Sequence, residues 1–203
     1  MLDGRVRPLI DPPLDAAGAA LARLGVGANA VTVAGFLLGA CACAAIFYGH
    51  FHAALALIAA NRVFDGLDGA VARRRGATDL GGYLDIVLDM IFYSGVPFAF
   101  LLRDPAESAP AAFLMLSFMG TGASFLAYAA IAAKRGESTR AQGVKSMYYS
   151  FGLMEGTETI AFFAAFCLWP AYFAPLAWIF GALCWITVAG RMALAWNQFG
   201  GSR

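Results

Sequence analysis

Three long stretches without a single charged side chain govern what this chain can fold into. No Asp, Glu, Lys or Arg occurs between Arg23 and Arg62, between Glu107 and Lys134, or between Glu158 and Arg191. Each gap exceeds the roughly 20 apolar residues that cross a bilayer as a helix. Composition agrees: of 203 residues, 61% are hydrophobic and only 13% charged, the balance of a membrane protein rather than a soluble domain. The formal net charge of +1 carries no information about partners; the distribution of charge does.

The last gap is broken by Pro170 and Pro175 in "WPAYFAP", which reads as the turn of a helical hairpin. Six spans follow, near Ala28–Tyr48, Ala53–Ala72, Leu80–Leu102, Ala109–Ala133, Met147–Trp169 and Leu176–Trp196. An even number puts both termini on one side. Arg5, Arg7, Arg23, Arg73, Arg74, Arg75, Lys134, Arg135, Arg140, Lys145 and Arg203 all fall on that side, and Arg103 alone falls on the other. The positive-inside rule makes the shared side cytoplasmic. Residues 1–27 mix charge with Leu, Ile and Val and lack the pattern of a cleaved signal peptide. From Pro13 to Leu24, the apolar Leu14, Ala17, Leu21 and Leu24 recur at helical spacing, which predicts an amphipathic helix in the cytoplasmic interface. The expected organisation is one all-α membrane domain over 1–203: the interfacial helix in 1–27 and a six-helix bundle over 28–198. Cys41, Cys43, Cys167 and Cys184 lie within the spans without metal-ligand spacing, and read as packing residues with no disulfide.

Against this background the segment "FDGLDGAVARRRGATDLGGYLDIVLD", from Phe64 to Asp89, is out of place. Asp65 and Asp68 are three apart and Asp85 and Asp89 four apart, so each pair shares a helix face. The polar turn between them, with Gly76, Gly81 and Gly82, predicts an antiparallel hairpin that brings the four carboxylates face to face. An Asp deep in a membrane helix costs about 2.5–3.5 kcal/mol on insertion scales, and mutual repulsion adds to that. Protonation would compensate in a proton relay. Oxygen-only ligands at a turn suit a hard divalent cation better, and four negative charges would be balanced by two Mg²⁺ or Mn²⁺. No His or Cys lies nearby, against zinc. Gly66 and Gly69 leave one helix face bare for a ligand, Ala72 continues that face, and Arg73 sets a bidentate cation beside it. Asp79 reads as a solvated turn charge, and Arg74 and Arg75 as topological anchors.

The run Asp65-x-x-Asp68-Gly69-x-x-Ala72-Arg73, followed by Gly81-x-x-x-Asp85-x-x-x-Asp89, resembles the signature of the CDP-alcohol phosphotransferases, integral membrane enzymes of phospholipid synthesis. The family pattern has eight residues between the Arg and the following Gly; Arg74 to Leu80 supplies seven, a shorter turn with both Asp pairs intact. "ANAVT" at Ala28–Thr32 is similar to the family's Pro-Asn-x-x-Thr, with Ala28 in place of the proline. Much of the chain is also similar to an uncharacterised enterobacterial inner-membrane member of the family. The resemblance implies transfer of a phosphatidyl group from a CDP-linked lipid such as CDP-diacylglycerol to an alcohol, small and polar or itself a lipid, with release of CMP. It implies that Asp65, Asp68 and Asp85 hold the metals, with Asp89 completing the site and acting as general base. Gly69, Ala72, Arg73 and Gly81 would cradle the CDP moiety, assisted by Asn29 and Thr32. A bacterial inner-membrane location, a cytoplasm-facing site, a homodimer and no nucleic-acid partner complete these expectations.

The acceptor is left open among glycerol 3-phosphate, serine, an inositol phosphate, choline and a phospholipid. Lys145 is a phosphate-binding candidate. Glu155 and Glu158, inside the fifth span, either orient an acceptor or pair with Arg62 or Arg191; Tyr148, Tyr149 and Phe151 could cage a choline. Gly35-x-x-x-Gly39 and the run Gly120, Gly122, Ala123, Ser124 permit close helix packing, as within a homodimer. Two other classes compete. An intramembrane prenyltransferase would carry aspartate motifs in distant loops, and a cation transporter would place its acids near the membrane midplane.

Overall fold

The computed structural model describes residues 3–136 and 156–200. Lys145, Tyr148, Tyr149, Phe151, Glu155 and the first part of the fifth expected span lie outside them. Among the described residues the chain is helical, with no strand. Helix α1 spans Asp3–Arg23, α2 Ala28–Phe47, α3 Phe51–Arg75, α4 Asp79–Arg103, α5 Ser108–Lys134, α6 Gly156–Leu168 and α7 Phe173–Phe199. Short 3₁₀ turns at Pro105–Glu107 and Pro170–Tyr172 lead into α5 and α7, where a proline's fixed φ suits a helix start. Four stretches are long and apolar enough to cross a membrane: Ala28–Phe47, Asp79–Arg103, Pro105–Lys134 and Pro170–Phe199. Helix α3 has the length, at 25 residues, but Asn61, Arg62, Asp65 and Asp68 interrupt its apolar character.

The links are tight. Gly49, between α2 and α3, has φ +79, and a Cβ there would stand 2.5 Å from Arg103 Nη1; the guanidinium donates to the Phe47 carbonyl at 3.2 Å. Between α3 and α4 only Gly76, Ala77 and Thr78 are non-helical. Gly76 takes φ +98, a backbone state that glycine adopts without steric cost. Thr78 caps α4, its hydroxyl accepting from the Gly81 amide at 3.0 Å. The expected ten-residue turn from Arg73 to Gly82 is therefore mostly helix, because good helix formers continue α3 through Arg75 and the Thr78 cap starts α4 at once.

Helices α3 and α4 leave this turn without packing closely on each other. Instead α2 packs against both, so the expected hairpin is opened by a third helix. Small residues explain the approach. A Cβ on Gly35 would meet Phe64 Cβ of α3 at 3.0 Å, and one on Gly39 would meet Phe92 Cδ2 of α4 at 2.6 Å. Gly122 likewise faces Met90 Sδ of α4, at 2.9 Å, and Gly120 faces Val188 of α7, at 3.3 Å. Both small-residue faces are thus used inside the chain.

Helix α1 begins well before the expected Pro13 and is docked on α3. A Cβ on Gly18 would fall 2.6 Å from Ala70 Cβ, and one on Gly66 would fall 2.5 Å from Leu14 Cδ1. At the far end of the bundle, Phe100 stacks on Phe173 with centroids 4.2 Å apart, and Phe162 on Phe180 at 4.4 Å. These rings, with fully buried Phe163, Phe166 and Leu114, form the apolar core. The cysteines are free, Cys167 and Cys184 being buried.

The packing of α2 yields a test. Gly39→Val would drive methyl groups into Phe92 and should cost about 1–3 kcal/mol through overpacking, read as a lowered thermal midpoint of the detergent-solubilised protein. An unchanged midpoint would contradict the close α2–α4 approach.

Candidate active site

Asp65 and Asp68 leave α3 on one face, and Asp85 reaches them from the first turns of α4. One carboxylate oxygen from each of the three lies within 4.8 Å of the other two. Asp68 is 8% exposed, and its Oδ2 is buried without a hydrogen-bond partner. A buried carboxylate oxygen with no donor carries a large desolvation cost. An oxygen-liganded divalent cation supplies what it lacks, so these residues fit such a metal on geometry and on donor chemistry alike.

Asp89 lies outside that cluster. Its two oxygens accept from the Arg62 guanidinium, Nη2 to Oδ1 at 2.7 Å and Nη1 to Oδ2 at 3.3 Å. Arg62 Nη1 also stands 3.5 Å from Asp65 Oδ2 and donates to the Tyr93 hydroxyl at 3.0 Å. Its Nε donates to Asn61 Oδ1 at 2.8 Å, and Asn61 Nδ2 donates to the Gly35 carbonyl at 2.9 Å. All four aspartates and Arg62 line one small cleft, closed behind by Thr32, Gly35 and Phe36 of α2.

Beside the cleft, sharing Thr32, Asp68 and Asp85 with it, opens a groove of ≈ 420 Å³. Its walls include Asn29 and Thr32 of α2, Gly69 and Ala72 of α3, and Gly81 of α4. Of the nucleotide-side residues named from sequence (Asn29, Thr32, Gly69, Ala72, Arg73 and Gly81), all but Arg73 therefore border one space. A Cβ on Gly81 would come within 2.9 Å of Asn29 Oδ1, so the glycine leaves that side chain room beside the groove. The start of α2 at Gly27 has no side-chain cap, leaving backbone N–H groups and the positive helix end toward the groove. Arg73 is not on the groove wall. Its Nη2 donates to Asp15 Oδ1 of α1 at 2.8 Å, while its Nη1 lies 3.4 Å from the position of a Gly69 Cβ. The groove's lining cation is Arg75, which also donates to the Val26 carbonyl at 3.0 Å.

A separate cavity of ≈ 160 Å³ lies on the other side of Tyr93, among Met90, Phe118, Thr121, Phe125, Thr159 and Arg191. Arg191 Nη1 donates to the Thr121 carbonyl at 2.9 Å, and its guanidinium sits over the Phe125 ring.

Sequence reasoning passed over Asn61, Tyr93 and Asp15 and offered Glu155 or Glu158 as partners for Arg62, whose guanidinium instead engages Asp89 and Asp65. Arg62 carried a signal: a cation inside a membrane helix, one turn before Asp65 on the same face. Arg75 did as well, being three residues beyond Ala72 and so in phase with the groove wall. Asp15 carried none, because its partner depends on how α1 docks.

The profile of the CDP-alcohol phosphatidyltransferase family matches residues 26–193. The chain is 49% identical over 193 residues to the inner membrane protein YnjF of Escherichia coli K12, covering 95% of this chain and 94% of that one. Archaetidylinositol phosphate synthases match over shorter stretches. The Pyrococcus horikoshii protein is 32% identical over 48% of this chain and 53% of its own, and the Methanothermobacter thermautotrophicus protein 40% over 42% and 41%. The fold is shared with the crystal structure of Mycobacterium tuberculosis phosphatidylinositol phosphate synthase PgsA1 with CDP-DAG bound, at TM-score 0.70 and 22% identity over 90% of this chain and 93% of that one. With the profile and the YnjF likeness both spanning most of its length, the chain belongs to the CDP-alcohol phosphatidyltransferase family.

Proposed function

We propose that this enzyme moves a phosphatidyl group from CDP-diacylglycerol, or a similar CDP-linked lipid, to an alcohol and releases CMP. The observation that carries this reading is the trio Asp65, Asp68 and Asp85, with oxygens within 4.8 Å of one another, opening onto a groove lined by Asn29, Thr32, Gly69, Ala72 and Gly81. The trio would hold Mg²⁺ or Mn²⁺, and two ions are inferred. When bound, they would polarise the donor's phosphorus and stabilise the departing CMP.

The chain's own residues do the rest. The bare faces of Gly69 and Gly81 let the nucleotide approach the backbone, and Asn29 and Thr32 offer polar groups beside it. The uncapped start of α2 and Arg75 favour the diphosphate's charge. Arg73, now held by Asp15, stands at the rim beside Gly69 and can turn to a phosphate. Asp89 acts as general base. The acceptor oxygen forms its bond to the donor's lipid-bearing phosphorus as the bond to CMP breaks, and the hydroxyl proton passes to an Asp89 carboxylate oxygen.

The acceptor is inferred to be a phosphorylated polyol. Two matched relatives are archaetidylinositol phosphate synthases, and the cavity beyond Tyr93 holds a guanidinium, Arg191, among apolar walls. The fold is read as six spans within one membrane domain, with α3 crossing despite its polar residues and a fifth span ending in α6. Helix α1 would lie along the cytoplasmic interface, the termini and the site facing the cytoplasm, as the positive-inside pattern favours. A homodimer is also inferred from the family; its contact would use surfaces other than the Gly35, Gly39, Gly120 and Gly122 faces, which are occupied within the chain.

Supplying the purified protein with CDP-diacylglycerol and glycerol 3-phosphate, serine, inositol phosphate or choline should give CMP and one lipid product by mass spectrometry. Turnover should be strongest with inositol phosphate; absence of CMP release with every alcohol would refute the transfer reading. Exhaustive chelation should abolish turnover and Mg²⁺ or Mn²⁺ restore it. Asp89→Asn should depress turnover by roughly 10²–10⁴-fold with donor binding little changed. Asp68→Asn should instead weaken Mn²⁺ and donor binding together, as a donor-binding titration beside the CMP assay would reveal. Equal loss of donor binding in both variants would remove the base assignment.

A further inference from the structure

Of the acids in the cleft, Asp89 alone is gripped on both oxygens by a side chain that is itself fixed on every nitrogen. The Arg62 side chain is 17% exposed. Nε is held by Asn61, which is anchored in turn on the Gly35 carbonyl of α2. Nη1 is shared among Asp89, Tyr93 and Asp65, and Nη2 is committed to Asp89. The guanidinium packs 5.3 Å from the Phe92 ring centroid and 5.4 Å from that of Tyr93. A planar fork immobilised this way dictates where a carboxylate stands. The arrangement also spans the opening between α3 and α4, which do not otherwise pack closely.

We propose that Arg62 is a positioning residue that sorts the four aspartates, holding Asp89 away from the cations so that Asp65, Asp68 and Asp85 ligate them while Asp89 faces the acceptor. The proposal rests on Asp89 being the base. Without the fork, Asp89 has every electrostatic reason to swing one helical turn back toward the cations beside Asp85. The site then gains a fourth carboxylate ligand and loses a repelling positive charge, and both changes tighten metal binding. Turnover falls because the proton acceptor has become a ligand. A structural ion pair gives the opposite signature: its loss loosens the α3–α4 cleft and weakens metal binding along with everything else.

The test is a Mn²⁺ titration, followed by electron paramagnetic resonance, of the purified full chain without other substrates. It is set beside kcat and KM for CDP-diacylglycerol with inositol phosphate. R62M, which keeps the length and apolar packing, should bind Mn²⁺ about tenfold more tightly, with kcat reduced and KM for the donor little changed. The double variant R62M/D89A should lose most of that gain, because Asp89 is what supplies it. R62K, with a charge but no fork, should fall between R62M and the unaltered protein, and it carries the test if R62M does not fold. Unchanged or weaker Mn²⁺ binding in a folded R62M or R62K overturns the proposal, as does a gain that survives removal of Asp89. The two readings fail separately. Normal turnover in D89N removes the base but leaves the Mn²⁺ gain of R62M standing, whereas slow D89N with no gain in R62M removes only the sorting role.

Discussion

Repulsion among carboxylates held in a low-dielectric hairpin is the constraint on which the rest of this structure depends. Asp65, Asp68 and Asp85 crowd to within 4.8 Å, where like charges interact strongly unless something intervenes. Two compensations meet at the cleft. One is a fixed guanidinium, Arg62, on Asp89 and Asp65; the other is the demand of the remaining trio for cations. The placement of α2 follows from the same constraint. Two acidic faces do not pack on each other, so a glycine-faced helix fills the space behind them and contacts both through Gly35 and Gly39.

That arrangement flanks the site with two chambers. The groove at the start of α2 is glycine-lined, open toward the turn and edged by the polar groups of Asn29, Thr32 and Thr78. The smaller cavity past Tyr93 is walled by Met90, Phe118 and Phe125 and contains Arg191. The acidic cleft stands between them, with Tyr93 bonded to Arg62 on one side and Thr32 shared with the groove on the other. The aromatic core lies towards the opposite end of the helices, so apolar packing holds the bundle where no chemistry is required, leaving the polar end free to be built around ligands.

Much of this was legible in the sequence. The charge gaps located α2, α5 and α7, and helical spacing paired the aspartates. What escaped was tertiary. Adjacent segments joined by a short polar turn read as packed partners, yet α2, earlier in the chain, takes that place because its glycines allow it. Arg73 was expected on the phosphate side and Arg75 as an anchor. The two are about 200° apart around a helix: Arg75, three residues beyond Ala72, stays near its phase and lines the groove, while Arg73, four residues beyond Gly69, reaches Asp15 of α1. The polar Arg73–Gly82 segment suggested a loop; helix propensity through Arg75 and the Thr78 cap overrode its polarity. The contact of Arg62 with Asp65 follows helical spacing, but its main partner escaped, since Asp89 meets it across an open cleft rather than at a fixed helical spacing.

The three-residue link Gly76–Thr78 has a bearing on how such chains vary in length. Each residue added to or removed from a helix rotates everything beyond it by about 100°, which within α3 or α4 would carry one aspartate pair off the cleft. In a glycine-started, threonine-capped link the same change alters only the span of a bend. The motif here is one residue shorter between Arg73 and Gly81 than the family pattern, and the aspartates still converge. Length variation among relatives should therefore collect between positions 76 and 78, making that link the joint at which the two halves of the catalytic motif are free to drift in sequence while staying locked in phase.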